Sequence, residues 1–110
     1  SDTIGRVASV KAAIGLGGGA WKDYVNSSQQ LMMSLKMTGD TPEDLEEIYN
    51  AYIAWANAQE RFTSVESFEG GMLYIGDTNV WISNDSTHVR MLLTQDLEIF
   101  NEITTQISRF

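Results

Sequence analysis

The stretch AWKDYVNSSQQLMMSLKM, residues 20–37, decides which fold class the sequence predicts. Its apolar residues recur at steps of three and four, the spacing of one face of an α-helix. That stripe consists of Trp21, Tyr24, Val25, Leu31, Met32 and Leu35, with Ser28 on the same line. Asp23 near the start and Lys36 near the end suit the helix dipole, and Gly39 follows as a natural stop. We therefore predict a helix over residues 20–37.

The next segment, GDTPEDLEE at residues 39–47, carries the clearest helix-start signal in the chain. Asp40 or Thr41 can cap a helix, and Pro42 suits its first position. Four acidic residues then favour the positive end of the helix dipole: Glu43, Asp44, Glu46 and Glu47. Apolar spacing carries this helix to Phe62. With the preceding helix, it predicts an antiparallel helical hairpin over 20–37 and 41–62.

The second half of the chain combines extended and helical patterns. Residues 63–71 read as a loop, and MLYIGDTNVWIS (residues 72–83) predicts a β-hairpin with its turn at 76–79. An apolar stripe that reaches Phe110 predicts a last helix over 86–109, capped within SNDST, and a buried chain end. The predicted fold class is α+β, mainly α: an antiparallel helical hairpin plus a C-terminal helix with one small β-hairpin.

The chain of 110 residues is long enough for one domain and too short for two. Residues 1–19 are expected to form a mobile or peripheral N-terminal arm that ends in the glycine-rich hinge Gly15–Gly19. Within the arm, the apolar spacing of residues 3–14 fits a helix, and a strand over 7–14 is the alternative. Deleting residues 1–17 is expected to leave a folded domain with weaker self-association.

The glycine-rich loop Gly15–Gly19 is also a candidate phosphate cradle, because glycines let the backbone approach an anion closely. Lys22 follows it, but the P-loop spacing is absent and no Ser or Thr comes after this lysine to hold magnesium. No second parallel strand is available to complete a dinucleotide-binding unit. A hinge is therefore the favoured interpretation, with a small-molecule or phosphate site as the alternative.

Catalytic and metal-binding equipment is sparse. The chain has no cysteine and one histidine, His88, which limits nucleophilic triads and metal sites and leaves the cellular compartment open. The acids at 43–47 are explained by the helix dipole, and Glu98 and Glu102 lack the histidine of a Glu-x-x-His site. No apolar run approaches the ~20 residues of a membrane span. We predict a protein that is not an enzyme and uses no cofactor or metal.

The formal net charge of −8 is unevenly distributed. Residues 1–37 sum to +2 and residues 38–110 to −10. An acidic surface of this kind repels nucleic acid, so direct nucleic-acid binding is not expected. The expected partner is a protein, through either self-association or a basic partner.

Many apolar positions without catalytic groups favour a protein whose role is to make contacts. The first hypothesis is a non-enzymatic protein–protein interaction or assembly subunit, for example a virion or secretion-machine component or a small homo-oligomer. The alternatives are an acidic inhibitor or regulator that occupies a basic groove, for instance by mimicking nucleic acid, and a small-molecule or phosphate-binding domain. Aromatic and methionine side chains are the expected interaction residues: Met72, Tyr74 and Trp81 on an outward hairpin face, then Met33, Met37 and Phe110.

Overall fold

A computed structural model describes residues 21–110, and one six-stranded antiparallel sheet organises them. The strands are β1 (Trp21–Val25), β2 (Leu31–Met37), β3 (Phe62–Phe68), β4 (Gly71–Gly76), β5 (Asn79–Asn84) and β6 (Val89–Thr94). Their order across the sheet is β1-β2-β6-β5-β4-β3. Helix α1 (Pro42–Asn57) connects β2 to β3, and helix α2 (Glu98–Glu102) with a 3₁₀-helix (Thr104–Arg109) follows β6. The expected arm and its Gly15–Gly19 hinge or phosphate site lie outside the described residues.

The predicted helix over 20–37 is wrong, and the chain is mainly β rather than mainly helical. This stretch forms the β1–β2 hairpin, in which Trp21 pairs with Leu35. Its turn contains Gln29 in a left-handed conformation, with a φ of 65°. Two short strands separated by a turn place apolar residues at intervals that imitate helical spacing. Successive methionines, Met32 and Met33, face opposite sides of a strand, which explains an apolar run wider than a single helical stripe.

The second half departs from the prediction in a similar way. The expected helix over 86–109 is wrong because β6 occupies its first half and sits in the middle of the sheet. A strand buried on both faces is largely apolar, as β6 is, and its sequence resembles that of a buried helix segment. The expected loop over 63–71 contains strand β3, whose side chains are mostly polar.

The start of α1 is the local feature that the sequence predicted best. The hydroxyl of Thr41 accepts a hydrogen bond from the Asp44 amide at 3.2 Å, and Pro42 occupies the first turn. The helix ends at Asn57 rather than Phe62, and it packs on the sheet instead of on a second helix. The sequence therefore predicts the cap of α1 correctly. It does not predict that α1 packs on a sheet.

Each face of the sheet carries its own hydrophobic layer, because side chains alternate along every strand. The face beneath α1 is the larger layer, and its buried members are Met33, Leu35, Leu45, Tyr52, Ala56, Tyr74, Val80, Ile82, Val89, Met91 and Leu93. The opposite face is covered by residues 98–110, which we call the C-terminal segment. The buried members of this second layer are Met32, Leu73, Trp81, Leu92, Ile99, Phe100 and Phe110. The central strands β5 and β6 are therefore buried on both sides.

The C-terminal segment is held to the β1–β2 hairpin by polar and aromatic contacts. The side-chain amide of Asn26 donates to both carboxylate oxygens of Glu102, at 3.1 and 3.0 Å, and that of Gln30 donates to Glu98 at 2.8 Å. The ring of Phe110 meets Tyr24 edge to face, with 4.7 Å between centroids. The prediction that the apolar stripe buries the chain end is confirmed.

Candidate functional site

Strand β3 forms one edge of the sheet that residues 21–110 build. It pairs with β4 on one side and nothing among residues 21–110 pairs with its other side. Five consecutive residues of this strand, 63–67, are exposed, and Val65 is 48% exposed. An edge strand presents unpaired backbone N–H and C=O groups that can pair with another chain. We call strand β3 with its free backbone groups the β3 edge.

The opposite edge, strand β1, is better protected. Lys22 and Asp23 stand next to each other in the middle of β1, and charged side chains on an edge strand discourage pairing. Strand β3 carries one charged residue, Glu66. A shift of register, which can also protect an edge strand, occurs in β3 only at its start, between Phe62 and Ser64. The β3 edge is therefore the longer and the less guarded of the two.

A shallow groove lies beside the β3 edge, where the end of α1 meets strands β3 and β4. Its volume is about 230 Å³. The lining residues are Ala56, Asn57, Gln59, Phe62, Thr63, Ser64, Val65 and Tyr74. The Tyr74 hydroxyl donates to the side-chain oxygen of Asn57 at 2.8 Å, and the ring of Phe62 lies 5.4 Å from that of Tyr74. An aromatic wall therefore stands next to the exposed Val65.

The expected outward face of the β4–β5 hairpin is absent, although both of its strands are present. A turn at 76–79 would pair Tyr74 with Trp81. Instead Tyr74 pairs with Val80 and Leu73 with Trp81, a shift of one residue in register. A shift of one residue turns every side chain of a strand to the other face. Tyr74 thus lies beneath α1 and Trp81 on the opposite face, 3% and 2% exposed.

Trp81 is fixed in its layer by one hydrogen bond and one glycine. Its indole N–H donates to the Phe68 carbonyl at 2.7 Å. A Cβ on Gly71 would stand 2.7 Å from the indole and 2.6 Å from the Ile82 carbonyl oxygen. Only glycine fits at this position, because a methyl group there would overlap the ring and the neighbouring strand. Trp81 is therefore a core residue of this chain.

The other predicted interaction residues are divided between the two layers. Met33 is 8% exposed beneath α1, with Met37 and Met72 half-buried in the same layer. Phe110 is 9% exposed on the opposite face. The structure does not bring the six residues together on one surface. A role for the half-buried methionines in binding stays a prediction.

The turn between β5 and β6 is organised by one carboxylate. Asp85 accepts hydrogen bonds from the backbone amides of Thr87 and His88, at 2.9 and 2.8 Å, and from the Thr87 hydroxyl at 2.6 Å. It also pairs with the guanidinium of Arg90 in β6. Partial burial acts to raise the pKa of Asp85, but these hydrogen bonds outweigh it and hold that pKa well below its usual value. The carboxylate stays ionised and serves as a structural anchor of the turn.

The structure describes both the acidic segment 40–47 and His88, whose Nδ1 lies 3.1 Å from the Thr87 hydroxyl oxygen. Within residues 21–110, no three histidine or acidic side chains are arranged to hold a metal ion. In the same range, no helix combines the length and apolar character that crossing a membrane requires. Comparisons of the chain with protein-family models, curated proteins and solved structures gave no match.

Sequence reasoning missed the β3 edge because FTSVESF is mostly polar. A strand at the rim of a sheet has little surface to bury, so it lacks the apolar alternation that marks strands elsewhere. The turn Glu69-Gly70 was the available signal, since it separates two short segments as a hairpin turn does. Gly70 indeed adopts a φ of 77° between β3 and β4.

Proposed function

We propose that this protein is a non-enzymatic assembly subunit that associates with a second copy of itself through the β3 edge. The observation that carries the proposal is a seven-residue edge strand with five consecutive exposed residues and one charge. Pairing two such edges would satisfy backbone groups that otherwise face water and would extend the sheet across both copies. The interface would be isologous, with the same strand used by each copy.

A two-fold axis at Val65 gives a pairing in which no two like charges stand directly opposite each other. In antiparallel register, Val65 would face Val65 of the second copy on the α1 side of the sheet. Ser64 would then stand opposite Glu66, so the two glutamates would not meet directly. Both Ser64 and Glu66 lie on the face opposite Val65, as their pairing with Ile75 and Leu73 shows. The axis would thus bring the two grooves and the two exposed valines together.

The net charge of −8 opposes such an association, since two copies repel each other. Of the seven residues of β3, Glu66 alone is charged, so the interface adds little to this repulsion. Added salt screens repulsion between exposed charges but leaves backbone pairing and apolar contact in place. Self-association through the β3 edge should therefore strengthen as the salt concentration rises.

The proposal is tested by Val65→Lys with Val25→Lys as the matched control. Both valines are exposed, at 48% and 59%, and each lies on an edge strand. We expect the unmodified protein to dimerise with concentration in sedimentation velocity, Val65→Lys to stay monomeric, and Val25→Lys to behave like the unmodified protein. Circular dichroism and thermal melting should show that both variants remain folded, because neither side chain belongs to a core layer.

Two results would contradict the proposal. One is an unmodified protein that stays monomeric at all concentrations and salt levels. The other is equal loss of association in Val65→Lys and Val25→Lys, which would mean that the added charge acts irrespective of the edge.

A basic protein partner is the second candidate, favoured by the outer surface of α1. Glu43, Glu46 and Glu47 are all exposed there, and the ion pair found within the described part of the chain, Asp85–Arg90, lies elsewhere. Binding of a basic partner to these carboxylates would weaken as salt rises, opposite to the salt dependence expected for self-association. Measuring association at low and high salt separates the two candidates.

A further inference from the structure

A pocket on the sheet face opposite α1 gathers positive charge. It has a volume of about 240 Å³ and lies over β1 and β2, where the C-terminal segment ends. The lining residues are Lys22, Tyr24, Ser34, Lys36, Arg109 and Phe110. Three of the five Lys and Arg residues within 21–110 line it, and no acidic residue does. The charged residues that line the pocket are thus all cations, in a chain with a net charge of −8.

Strand register places two of these cations side by side. Lys22 pairs with Ser34 across the β1–β2 ladder, and Lys36 stands two residues further along β2 on the same face. Lys22 and Lys36 are thus diagonal cross-strand neighbours, a separation that long side chains can span. Lys36 in turn pairs with Arg90 on β6, whose charge is matched by Asp85. The charges that line the pocket itself are not matched in this way, since the described residues hold no carboxylate within salt-bridge distance of them.

The third cation is positioned by the C-terminal segment. Arg109 donates a hydrogen bond to the side-chain oxygen of Gln106 at 3.0 Å, and its guanidinium lies 5.8 Å from the centre of the Phe110 ring. Phe110 packs edge to face on Tyr24 of β1. The segment thus brings a guanidinium from a distant part of the sequence to the two lysines.

We infer that this pocket binds a small oxyanion with two negative charges, namely phosphate or a phosphate monoester. The ammonium groups of Lys22 and Lys36 would supply charge, and the guanidinium of Arg109 can donate two parallel hydrogen bonds to two oxygens. Ser34, 2% exposed, and Tyr24 add hydroxyl donors. The rings of Tyr24 and Phe110 form an apolar wall for the organic part of an ester.

This binding site is independent of the proposed assembly. The pocket lies over β1 and β2, whereas the β3 edge is at the other end of the sheet order. A monomeric protein could still bind the anion, and a dimer could lack the site. The two proposals can therefore fail separately.

The test is a titration of the ¹⁵N-labelled protein with sodium phosphate and with phenyl phosphate, at constant ionic strength maintained with sodium chloride. We expect saturable changes in the amide signals of residues 22–24, 34–36 and 109–110. Lys36→Gln should weaken binding about tenfold, the effect of losing one charge-assisted interaction. Arg61→Gln is the matched control: it removes the same charge from an exposed residue outside the pocket, and it should bind like the unmodified protein.

Lys22→Gln provides a second variant should Lys36→Gln disturb the sheet, and circular dichroism verifies the fold of each. Tighter binding of phenyl phosphate than of phosphate would support contact with the aromatic wall. Signal changes that are scattered over the surface and never saturate would overturn the inference. Equal weakening by Lys36→Gln and Arg61→Gln would also overturn it, because the response would then reflect net charge alone.

Discussion

Strands β6 and β3 belong to the same sheet but have opposite environments. All six residues of β6 are buried, whereas five of the seven residues of β3 are exposed. Hydrophobicity accounts for only part of the difference, since β6 buries Arg90 and Thr94 while β3 exposes Val65. Position in the sheet accounts for the rest, because β6 lies between β2 and β5 whereas β3 lies at the rim.

The buried polar groups of β6 are tolerated because they have partners. The Thr94 hydroxyl donates to the Leu31 carbonyl at 2.6 Å, and the Thr94 carbonyl accepts from the Asn79 side chain at 3.2 Å. Arg90 is paired with Asp85. A buried polar group with its hydrogen bonds made costs little, whereas an unpaired one destabilises the fold. We therefore expect the stability of the fold to depend most on β6 and least on β3.

The largest expected effect comes from Leu92→Ala in β6. Leu92 is fully buried in the layer that holds Trp81 and Phe100. Truncation should lower the free energy of unfolding by about 3–4 kcal/mol, through lost burial and the cavity left behind. Urea unfolding followed by circular dichroism measures it. A loss below 1 kcal/mol would mean that β6 is not the centre of stability.

Phe110→Ala should have the next largest effect, about 2–3 kcal/mol, because its ring is buried against Tyr24. The change removes one wall of the C-terminal layer and leaves the layer beneath α1 intact. Thermal melting monitored by tryptophan fluorescence checks the size of the effect. An unchanged melting temperature would show that the C-terminal cover adds nothing to the stability of the sheet.

Asp85→Asn should cost about 1–2 kcal/mol at neutral pH, since it weakens the turn hydrogen bonds and removes the charge that faces Arg90. Asp85 is 41% exposed, which places the effect below that of a fully buried pair. Because the folded state lowers the pKa of Asp85, its contribution is present above the ordinary value of 3.8 and is lost as pH falls below it.

Urea unfolding of both proteins between pH 7 and pH 2.5 measures this dependence. The stability difference between the unmodified protein and Asp85→Asn should narrow on the acid side. A difference that stays constant across the whole range would contradict an ionised anchor at this turn.

The smallest expected effect is that of Val65→Ala in β3. A side chain that is 48% exposed loses little burial on truncation, so the free energy of unfolding should change by less than about 0.5 kcal/mol. Measuring the free energies of unfolding of Val65→Ala and Leu92→Ala in the same urea series compares an edge strand of the sheet with a central one. A loss as large as that of Leu92→Ala would mean that the β3 edge is part of the core.

Local chemistry was predicted from the sequence where the signals act over a few residues. The start of α1 follows from the Thr41 cap and Pro42, and strands β4 and β5 follow from β-rich runs around a turn. The burial of Phe110 follows from an apolar stripe that continues to the end. The first two signals are carried by neighbouring residues, whereas the burial of Phe110 also requires Tyr24 of the distant strand β1.

The sheet itself was decided by tertiary structure. Residues 20–37 and 86–94 have apolar spacings that fit a buried helix as well as strands buried on both faces, and only long-range pairing of β2 with β6 distinguishes them. The register that separates Tyr74 from Trp81 depends on the loop length of the hairpin and on which faces are covered. The β3 edge and the cationic pocket likewise exist only once distant strands and the C-terminal segment have come together, because hydrogen-bonded ladders and packed layers join residues that are far apart in sequence.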